Sequence, residues 1–373
     1  MNKLKKAKFD RTIPYNGLPD LPPSEDLLDK ETLIKWGLAS RALAELNKNI
    51  LRIPNPTMLV NTISLQEAQS STAIENIFTT EDELYKAVSD TIKEEEANPA
   101  TKEVLRYREA LWDGYTTLHK KKTFDPSIAI KIFRKIKNTT ESVRPPQSQV
   151  VIKRGQSELK PGEIIYTPPR GTGIVEQKMA NMFDFLNTEN AFDPLIKMAI
   201  AHYQFEAIHP FTDGNGRTGR ILNLLYLIDQ QLLSHPVLYL SKYIINNKDD
   251  YYYLLSGVTQ RQAWKPWLLY MLNAVEDTAR HTNQKIDEIL AQMDATYKYA
   301  QKKLKWYTLE MNQALFSQPY IKQKLIGEVS GATSRTTLTK YMQQLLDLGI
   351  LSANAEGREV FYVNNDLVRI LRS

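Results

Sequence analysis

The sequence has no cysteine, and this absence excludes disulfide bonds, thiol catalysis and thiolate metal sites. It also has no long apolar run, since the best candidate for a membrane span, "ILNLLYLIDQQLL", is short and contains Asn223 and Asp229. The basic start "MNKLKKAKFDRTIPYNG" lacks the apolar segment of a signal peptide. Neither positive nor negative residues dominate, and a net charge of +5 over 373 residues does not by itself indicate binding to nucleic acid. We therefore expect a cytoplasmic protein with no membrane contact.

Helical periodicity dominates the chain, which predicts a mainly α protein of two or three domains. Apolar residues recur every three to four positions in "DLLDKETLIKWGLASRALAELNKN" and again in "EVLRYREALWDGYTTLHKK". The exception is "SQVVIKRGQSELKPGEIIYTPP", where two β-branched runs flank a Lys-Pro-Gly-Glu turn. This pattern predicts a β-hairpin at about 150–168 inside an otherwise helical domain.

The last part of the chain has a different pattern. "YIKQKLIGEVSGATSRTTLTKYMQQLLDLGILSANAEGREVFYVNNDL" indicates a helix, a turn, a longer helix and a hairpin that closes at Glu356 and Gly357. This order is typical of a winged helix-turn-helix domain, which we place at 311–373. A long helix at 291–310 is expected to connect it to the rest of the chain.

The stretch "IHPFTDGNGRTGR" concentrates groups that can do chemistry. It contains the pattern G-x-G-x-x-G, but the preceding "PLIKMAIAHYQFEAI" has helical rather than alternating spacing. A dinucleotide-binding fold requires that pattern to follow a strand, so this interpretation is excluded. The context instead indicates a helix, a glycine-rich loop and a second helix that begins near Asn215.

A glycine-rich turn into a helix favours anion binding, because the first N–H groups lack helical partners and the dipole is positive there. Arg217 and Arg220 are three residues apart and share one helix face, and their planar guanidinium groups suit phosphate oxygens. Asp213 is a hard oxygen ligand that suits Mg²⁺ bound to phosphates. His209 can accept a proton near neutral pH. Together these residues predict a site for a polyphosphate with Mg²⁺ and for a hydroxyl that attacks it.

"HPFTDGNGRTGR" resembles the signature H-P-F-x-[DE]-G-N-G-R-x-x-R of Fic-domain proteins, and every fixed position of that signature is filled. The resemblance extends over most of residues 15–290. It implies a Fic-type helical bundle with a β-hairpin flap, followed by the winged helix-turn-helix domain. It also implies four parts of the chain: an N-terminal helical region at 1–120, a catalytic core at 121–290, a connecting helix at 291–310 and the C-terminal domain at 311–373.

The resemblance implies transfer of AMP from ATP to a Ser, Thr or Tyr hydroxyl of a protein target, or of the protein itself. His209 would be the base and Asp213 the Mg²⁺ ligand. Arg217 would meet the β-phosphate and Arg220 the γ-phosphate. The residues expected to bind the nucleotide are Gly214, Asn215, Gly216, Arg217, Thr218, Gly219, Arg220, Tyr251 and Tyr252. For the two tyrosines, a place in the core is an equal alternative. Removal of AMP and transfer of another nucleotide by the same site also stay open.

A second segment, "SSTAIEN", resembles the inhibitory helix [ST]-x-x-x-E-[GN] of these proteins, through Ser71 and Glu75. The resemblance implies that this helix, at about 64–78, places the Glu75 carboxylate against Arg220. The carboxylate would neutralise the arginine and fill the space of the γ-phosphate. The alternative is a capped surface helix that ends in a solvated glutamate.

The role of the C-terminal domain is less constrained. Its second helix and hairpin carry Arg335, Lys340 and Arg358, but acidic residues offset them. A DNA-binding domain usually presents a more basic face, so docking to protein or formation of a homodimer is an equal alternative. A DNA-binding regulator in which the Fic core acts as a sensor is the competing hypothesis for the whole chain.

Overall fold

The computed structural model describes residues 9–53, 56–88, 97–121, 123–154, 163–356 and 359–372. The turn of the predicted flap at 160–162 lies outside these residues, and so do Gly357 and Arg358 of the C-terminal hairpin. The helices are α1 (Lys30–Asn49), α2 (Pro56–Ile74), α3 (Glu81–Val88), α4 (Pro99–Lys121), α5 (Pro126–Lys137), α6 (Ile174–Asn187), α7 (Pro194–Ile208), α8 (Asn215–Asp229), α9 (Leu240–Asn246), α10 (Lys248–Arg261), α11 (Trp264–Lys303), α12 (Leu309–Leu315), α13 (Gln323–Ser330), α14 (Arg335–Asp347) and α15 (Asn365–Arg372). The strands are β1 (Ile152–Arg154), β2 (Glu163–Tyr166), β3 (Tyr320–Ile321), β4 (Ser352–Glu356) and β5 (Glu359–Val363). The mainly α fold class is confirmed.

The centre of the fold is the pair of helices α7 and α8. Every residue of α7 from Leu195 to Ile208 is buried, and so is nearly all of α8. Apolar residues lie on every side of α7, which is typical of a helix inside a protein, and its few polar side chains are buried with them. Asp193 caps α7 by accepting a hydrogen bond from the N–H of Leu195, and Pro194 occupies the first turn. Helices α6 and α11 pack against α7, whereas α4 and α5 pack against α8.

Helix α2 ends earlier than the predicted segment 64–78. Its last helical residue is Ile74, and Asn76 adopts the left-handed conformation with φ 62°. The N–H of Ile77 then donates to the carbonyl of Thr72 at 3.1 Å. Asparagine tolerates this conformation, so it ends the helix at this point. As a result, Glu75 lies in the turn that follows α2.

The predicted hairpin is formed by β1 and β2, which are antiparallel with Ile152 opposite Tyr166. The hydroxyl of Tyr166 donates to the carbonyl of Ala207 at 2.9 Å, near the end of α7. This bond anchors the base of the hairpin next to the loop that joins α7 to α8.

The C-terminal region has the predicted order of helix, turn, helix and hairpin. Strand β3 joins that hairpin in a sheet of order β3-β5-β4, and α15 follows it. Helix α15 packs against α11, and the buried Nε2 of Gln66 in α2 donates to the carbonyl of Leu371 at 2.9 Å. Lys285 in α11 donates to the same carbonyl at 2.7 Å. The connecting helix predicted at 291–310 ends earlier, at Lys303, and is the last part of α11, which runs unbroken from Trp264.

In the part of the chain that the structure describes, no helix combines the length and the apolar character that crossing a membrane requires.

Candidate active site

The loop between α7 and α8 reverses the chain through two residues with positive φ. His209 caps the end of α7 with φ 50°, and Gly214 precedes α8 with φ 78°. This conformation is uncommon for residues with a side chain, and histidine is among those that adopt it more often. The two turns place His209 and the first N–H groups of α8 at the same end of the helix pair.

Asn215 holds this loop together through its side chain. Its Oδ1 accepts a hydrogen bond from the N–H of Phe211 at 2.8 Å, and its Nδ2 donates to the carbonyl of Phe211 at 2.8 Å. The ring of Phe211 in turn stacks on Phe133 of α5, with ring centres 4.1 Å apart. Because both ends of the Asn215 amide are bonded inside the loop, its main-chain N–H is the group left to meet a phosphate.

Arg144 fixes the loop from the other side, and sequence reasoning did not identify this residue. Its Nε donates to the carbonyl of His209 at 2.8 Å, and its own N–H donates to the carbonyl of Pro210 at 2.9 Å. Its side chain is buried. The only signal in the sequence was a single arginine in the approach to the flap, "SVRPP".

His209 is neutral at physiological pH. Burial lowers the pKa of its imidazole from 6.5 to about 4, although the main-chain carbonyl of Glu206 favours the charged form. A neutral imidazole can accept a proton, which is what a general base requires. The surroundings therefore suit the role that the resemblance implies for this residue.

Arg220 is buried and bonded to the end of α2. Its Nε donates to Oγ of Ser71 at 2.7 Å, and its NH2 donates to the carbonyl of Ser71 and to Oε1 of Glu75, both at 2.8 Å. Burial lowers the pKa of Arg220, but the Glu75 carboxylate outweighs it, and the pKa lies above its usual value. The structure thus brings together the three residues that the sequence associated with inhibition.

The Glu75 carboxylate also lies over the first turn of α8. A Cβ atom at position 216 would be 2.4 Å from Oε1 of Glu75 and 2.9 Å from NH1 of Arg220. A side chain at this position would displace the Glu75 carboxylate from where it lies. Glu75 therefore occupies the end of α8 where an anion would be expected to bind.

The other charged residues of the loop have partners as well. Nζ of Lys137, in the last turn of α5, lies 2.6 Å from Oδ2 of Asp213. This lysine outweighs the effect of burial and lowers the pKa of Asp213. NH1 of Arg217 pairs with Oε2 of Glu103 from α4, and its NH2 is 3.7 Å from Oδ1 of Asp213. Sequence reasoning named neither Lys137 nor Glu103.

A second set of polar side chains is buried behind Arg220. Burial raises the pKa of Glu206 to about 7, and the charge of Arg220 opposes this shift. Burial also lowers the pKa of His202 to about 3. Glu67 is buried as well, and burial raises its pKa. It accepts hydrogen bonds from the hydroxyl of Tyr107 at 3.1 Å and from the N–H of Ser241 at 2.8 Å. These bonds tie α2 to α4 and α9.

Three of the residues expected to bind the nucleotide, Thr218, Gly219 and Tyr251, face inward, and Tyr252 is only partly buried. Thr218 is fully buried, and Gly219 lies on the face of α8 that packs against α7. Tyr251 is buried against Trp267, and its hydroxyl is 2.9 Å from Nε2 of His202. Tyr252 is half-buried, with its ring centre 5.1 Å from that of Tyr251. Of the two tyrosines, Tyr252 is the less buried.

The donor atoms near the loop fit a metal ion that is shared with phosphates. Among the described residues, no group of three or more His, Asp or Glu side chains could hold a metal ion. Mg²⁺ commonly binds one or two carboxylates and completes its coordination with phosphate oxygens and water. Asp213, with 63% of its side chain exposed, offers such a carboxylate beside Gly214.

Comparison with protein families gives three matches along the chain. Residues 33–116 match the Fic/DOC family N-terminal model, and residues 123–227 match the Fic/DOC family model. Residues 292–367 match the model described as "Protein adenylyltransferase SoFic-like, C-terminal domain". The chain belongs to the Fic/DOC family. The two Fic/DOC matches contain both the loop at 209–220 and Glu75.

Curated relatives of this Fic/DOC protein are similar to it over short segments. Protein adenylyltransferase fic-1 of Caenorhabditis briggsae is 49% identical over 65 residues, which are 17% of this chain and 13% of that protein. A probable protein adenylyltransferase of Aquifex aeolicus is 39% identical over 71 residues, 19% and 22% of the two chains. Protein adenylyltransferase Fic of Drosophila willistoni is 30% identical over 112 residues, 30% and 21%. The chain thus spans less than a quarter of the length of these relatives.

Two solved structures resemble this Fic/DOC protein over most of its length. A Fic family protein from Desulfovibrio desulfuricans matches with a TM-score of 0.53 and 20% identity, covering 87% of this chain and 95% of that one. Fic-1 from Caenorhabditis elegans matches with a TM-score of 0.52 and 18% identity, covering 68% and 72%. These matches show the shared fold.

Proposed function

We propose that this protein transfers AMP from ATP to a hydroxyl of a protein side chain, and that α2 holds it in an inhibited state. The observation that carries the proposal is the arrangement at one end of α7 and α8. There, a neutral His209 and the Asp213 carboxylate meet the start of a helix that bears two buried arginines. The names of the relatives support the same reaction.

In the proposed reaction, the target hydroxyl loses its proton to His209 as its oxygen attacks the α-phosphorus of ATP. The bond between that phosphorus and the bridging oxygen of the β-phosphate breaks, and pyrophosphate leaves. The product is a phosphodiester between AMP and the target. A general base of this kind contributes about 10²–10⁴-fold in rate.

The start of α8 would bind the phosphates through the N–H groups at 215–217, which have no carbonyl partner within the helix. Arg217 is assigned to the β-phosphate and Arg220 to the γ-phosphate. Asp213 would hold Mg²⁺, which neutralises phosphate charge when it is bound. Lys137 would have to release Asp213 for this, which requires breaking a contact of 2.6 Å.

Inhibition follows from the position of Glu75. Its carboxylate bonds to Arg220 and covers Gly216, so the γ-phosphate would lose an arginine and meet a like charge. ATP could bind only with its α-phosphate out of line with the incoming hydroxyl. Errors of orientation cost orders of magnitude in rate. The hairpin of β1 and β2 lies beside the loop and would align the target by strand addition.

The test is to incubate the protein with ATP, GTP, CTP and UTP in turn and to identify adducts by mass spectrometry. We expect an AMP adduct on the protein itself or on an added protein, and its formation should require His209. An adduct with a different nucleotide would replace AMP in the proposal. Binding of ATP without any adduct, even when Glu75 is replaced, would favour a sensor role for the Fic core. Loss of AMP from a modified protein would favour the reverse reaction.

A further inference from the structure

The two arginines of the loop are held in different ways. In Arg220, the two-donor edge of the guanidinium group, formed by Nε and NH2, is occupied by Ser71 and Glu75. In Arg217, the partner Glu103 takes NH1 instead. The Nε of Arg217 is buried and has no hydrogen-bond partner in the described part of the chain. The two-donor edge of Arg217 is therefore open, and this is the edge that binds phosphate oxygens in pairs.

The open edge of Arg217 faces the turn that begins α8. Its NH2 would lie 3.8 Å from a Cβ atom at Gly214, and the nearest oxygen of Asp213 is 3.7 Å from NH2. That oxygen is too far away for a strong hydrogen bond. With only 2% of its side chain exposed, Arg217 cannot satisfy these donors in bulk water. An unpaired donor in such a place is costly unless a ligand completes it.

Glu103 is attached to a helix whose position is firmly set. Helix α4 contacts α8 closely at Gly114, where a Cβ atom would be 2.4 Å from Cδ1 of Leu225. One turn after Glu103, the hydroxyl of Tyr107 donates to the buried Glu67 of α2 at 3.1 Å. Functional side chains are placed most accurately when they stand on elements that are fixed by packing. The Glu103 carboxylate is therefore a fixed reference point for Arg217.

We propose that Glu103 is a positioning residue for nucleotide binding. It holds NH1 of Arg217 so that Nε and NH2 face the β-phosphate. The proposal rests on the proposed function, because it takes a nucleotide as the ligand. In this proposal Glu103 favours phosphate binding by Arg217, whereas Glu75 opposes phosphate binding by Arg220. Glu75 shares the edge of Arg220 formed by Nε and NH2 with Ser71 and helps to block it, whereas Glu103 occupies NH1 of Arg217 and leaves the corresponding edge available.

The test measures binding of AMP, ADP and ATP to the full chain by calorimetry, in the presence of Mg²⁺. The nucleotides differ in their phosphates, so a defect at the β-phosphate affects ADP and ATP but leaves AMP unchanged. We expect Glu103→Ala to weaken ADP and ATP binding about tenfold, as loss of a charge-assisted hydrogen bond would. Glu103→Gln keeps an oxygen acceptor of the same length and should recover part of the loss. Glu103→Asp is one methylene shorter and should recover less.

The matched control is Glu109→Ala. Glu109 is also on α4, and it pairs with Lys135 of α5 at 2.7 Å, outside the loop. Its replacement should leave all three affinities unchanged. Thermal unfolding of each variant checks the fold, and if the Glu103→Ala chain does not fold, the Gln and Asp variants give the same comparison.

Three results would overturn the proposal. Equal weakening of AMP, ADP and ATP would assign Glu103 a structural role only. Tighter binding of ADP and ATP would make it a competitor of the phosphate, like Glu75. Absence of binding of any nucleotide to the wild-type chain and to Glu75→Gly would remove the proposed function as well. In the first two cases the proposed function stands.

Discussion

Replacing Glu75 with glycine removes the carboxylate that bonds to Arg220 while keeping the turn after α2. Glu75 is outside the helix, and the main-chain bond from Ile77 to Thr72 that ends α2 does not use its side chain. Glycine is well tolerated at the end of a helix. The change should therefore free Arg220 from the Glu75 carboxylate, while α2 stays folded.

The size of the effect follows from the contact that is lost. A hydrogen bond to a charged group contributes about 1.5–3 kcal/mol. One third of the Glu75 side chain is exposed, so solvent screening argues for the lower half of this range. At about 2 kcal/mol and about 1.4 kcal/mol per tenfold change, the rate of AMP transfer should rise about 30-fold. Ser71 still bonds to Arg220 in this variant, which limits the gain.

The assay is the initial rate of AMP incorporation from labelled ATP, compared among wild type, Glu75→Gly, Glu75→Gln and the double variant Glu75→Gly with Arg220→Ala. Glu75→Gln keeps the shape of the side chain but removes its charge, and it should activate less than glycine. The double variant should lose the gain, because the released arginine is its cause. A rate for Glu75→Gly at or below wild type, in a chain whose unfolding temperature is unchanged, would refute inhibition through this contact.

Three further predictions concern the base, its pKa and the C-terminal region. His209→Ala should lower the rate of AMP transfer by at least about 10²-fold with ATP affinity unchanged, and a normal rate would contradict its role as base. Because burial lowers the pKa of His209 to about 4, this group stays neutral as the pH falls from about 8 to about 6, and its protonation should reduce kcat/KM only below about pH 5. A kcat/KM profile that falls at the ordinary histidine pKa of 6.5 would show that His209 is not held neutral. Gln66→Ala removes a buried bond to the carbonyl of Leu371, so it should lower the unfolding temperature by about 1–2 °C and raise basal transfer. An unchanged unfolding temperature with unchanged transfer would show that this bond does not support α2.

The parts of the site that the sequence predicted are those in which neighbouring residues act together. The loop at 209–220 concentrates its groups in one stretch, so their spacing was enough to predict an anion site there. Glu103 and Lys137 are 114 and 76 residues from their partners Arg217 and Asp213. Each appears in the sequence as one more charged residue on an amphipathic helix. Only the packing of α4 and α5 against α8 gives them a role.

In the fold, too, features set by neighbouring residues were predicted and features set by distant contacts were not. Periodicity predicted the longer helices, and β-branched runs with turn residues predicted the hairpins, whereas β3 has only two residues and exists through its pairing with β5. The tyrosine helix α10 was ambiguous because its tyrosine pattern fits a core and a binding pocket equally well. The bond of Tyr251 to His202 decides for the core in its case, and no feature of the sequence indicated that bond.

The carbonyl of Leu371 accepts hydrogen bonds from Gln66 and Lys285, so α2 and the end of the chain share one buried contact. Through this contact, a change in the C-terminal region would shift the balance between chains in which α2 holds Arg220 and chains in which it does not. A ligand that binds that region more tightly when α15 has moved would increase the fraction of chains in which Arg220 is released. Thermodynamic linkage makes the effect mutual, because ATP that displaces Glu75 would then strengthen binding of that ligand by the same factor. Through α2, the nucleotide and a partner of the C-terminal region would each act as an effector of the other.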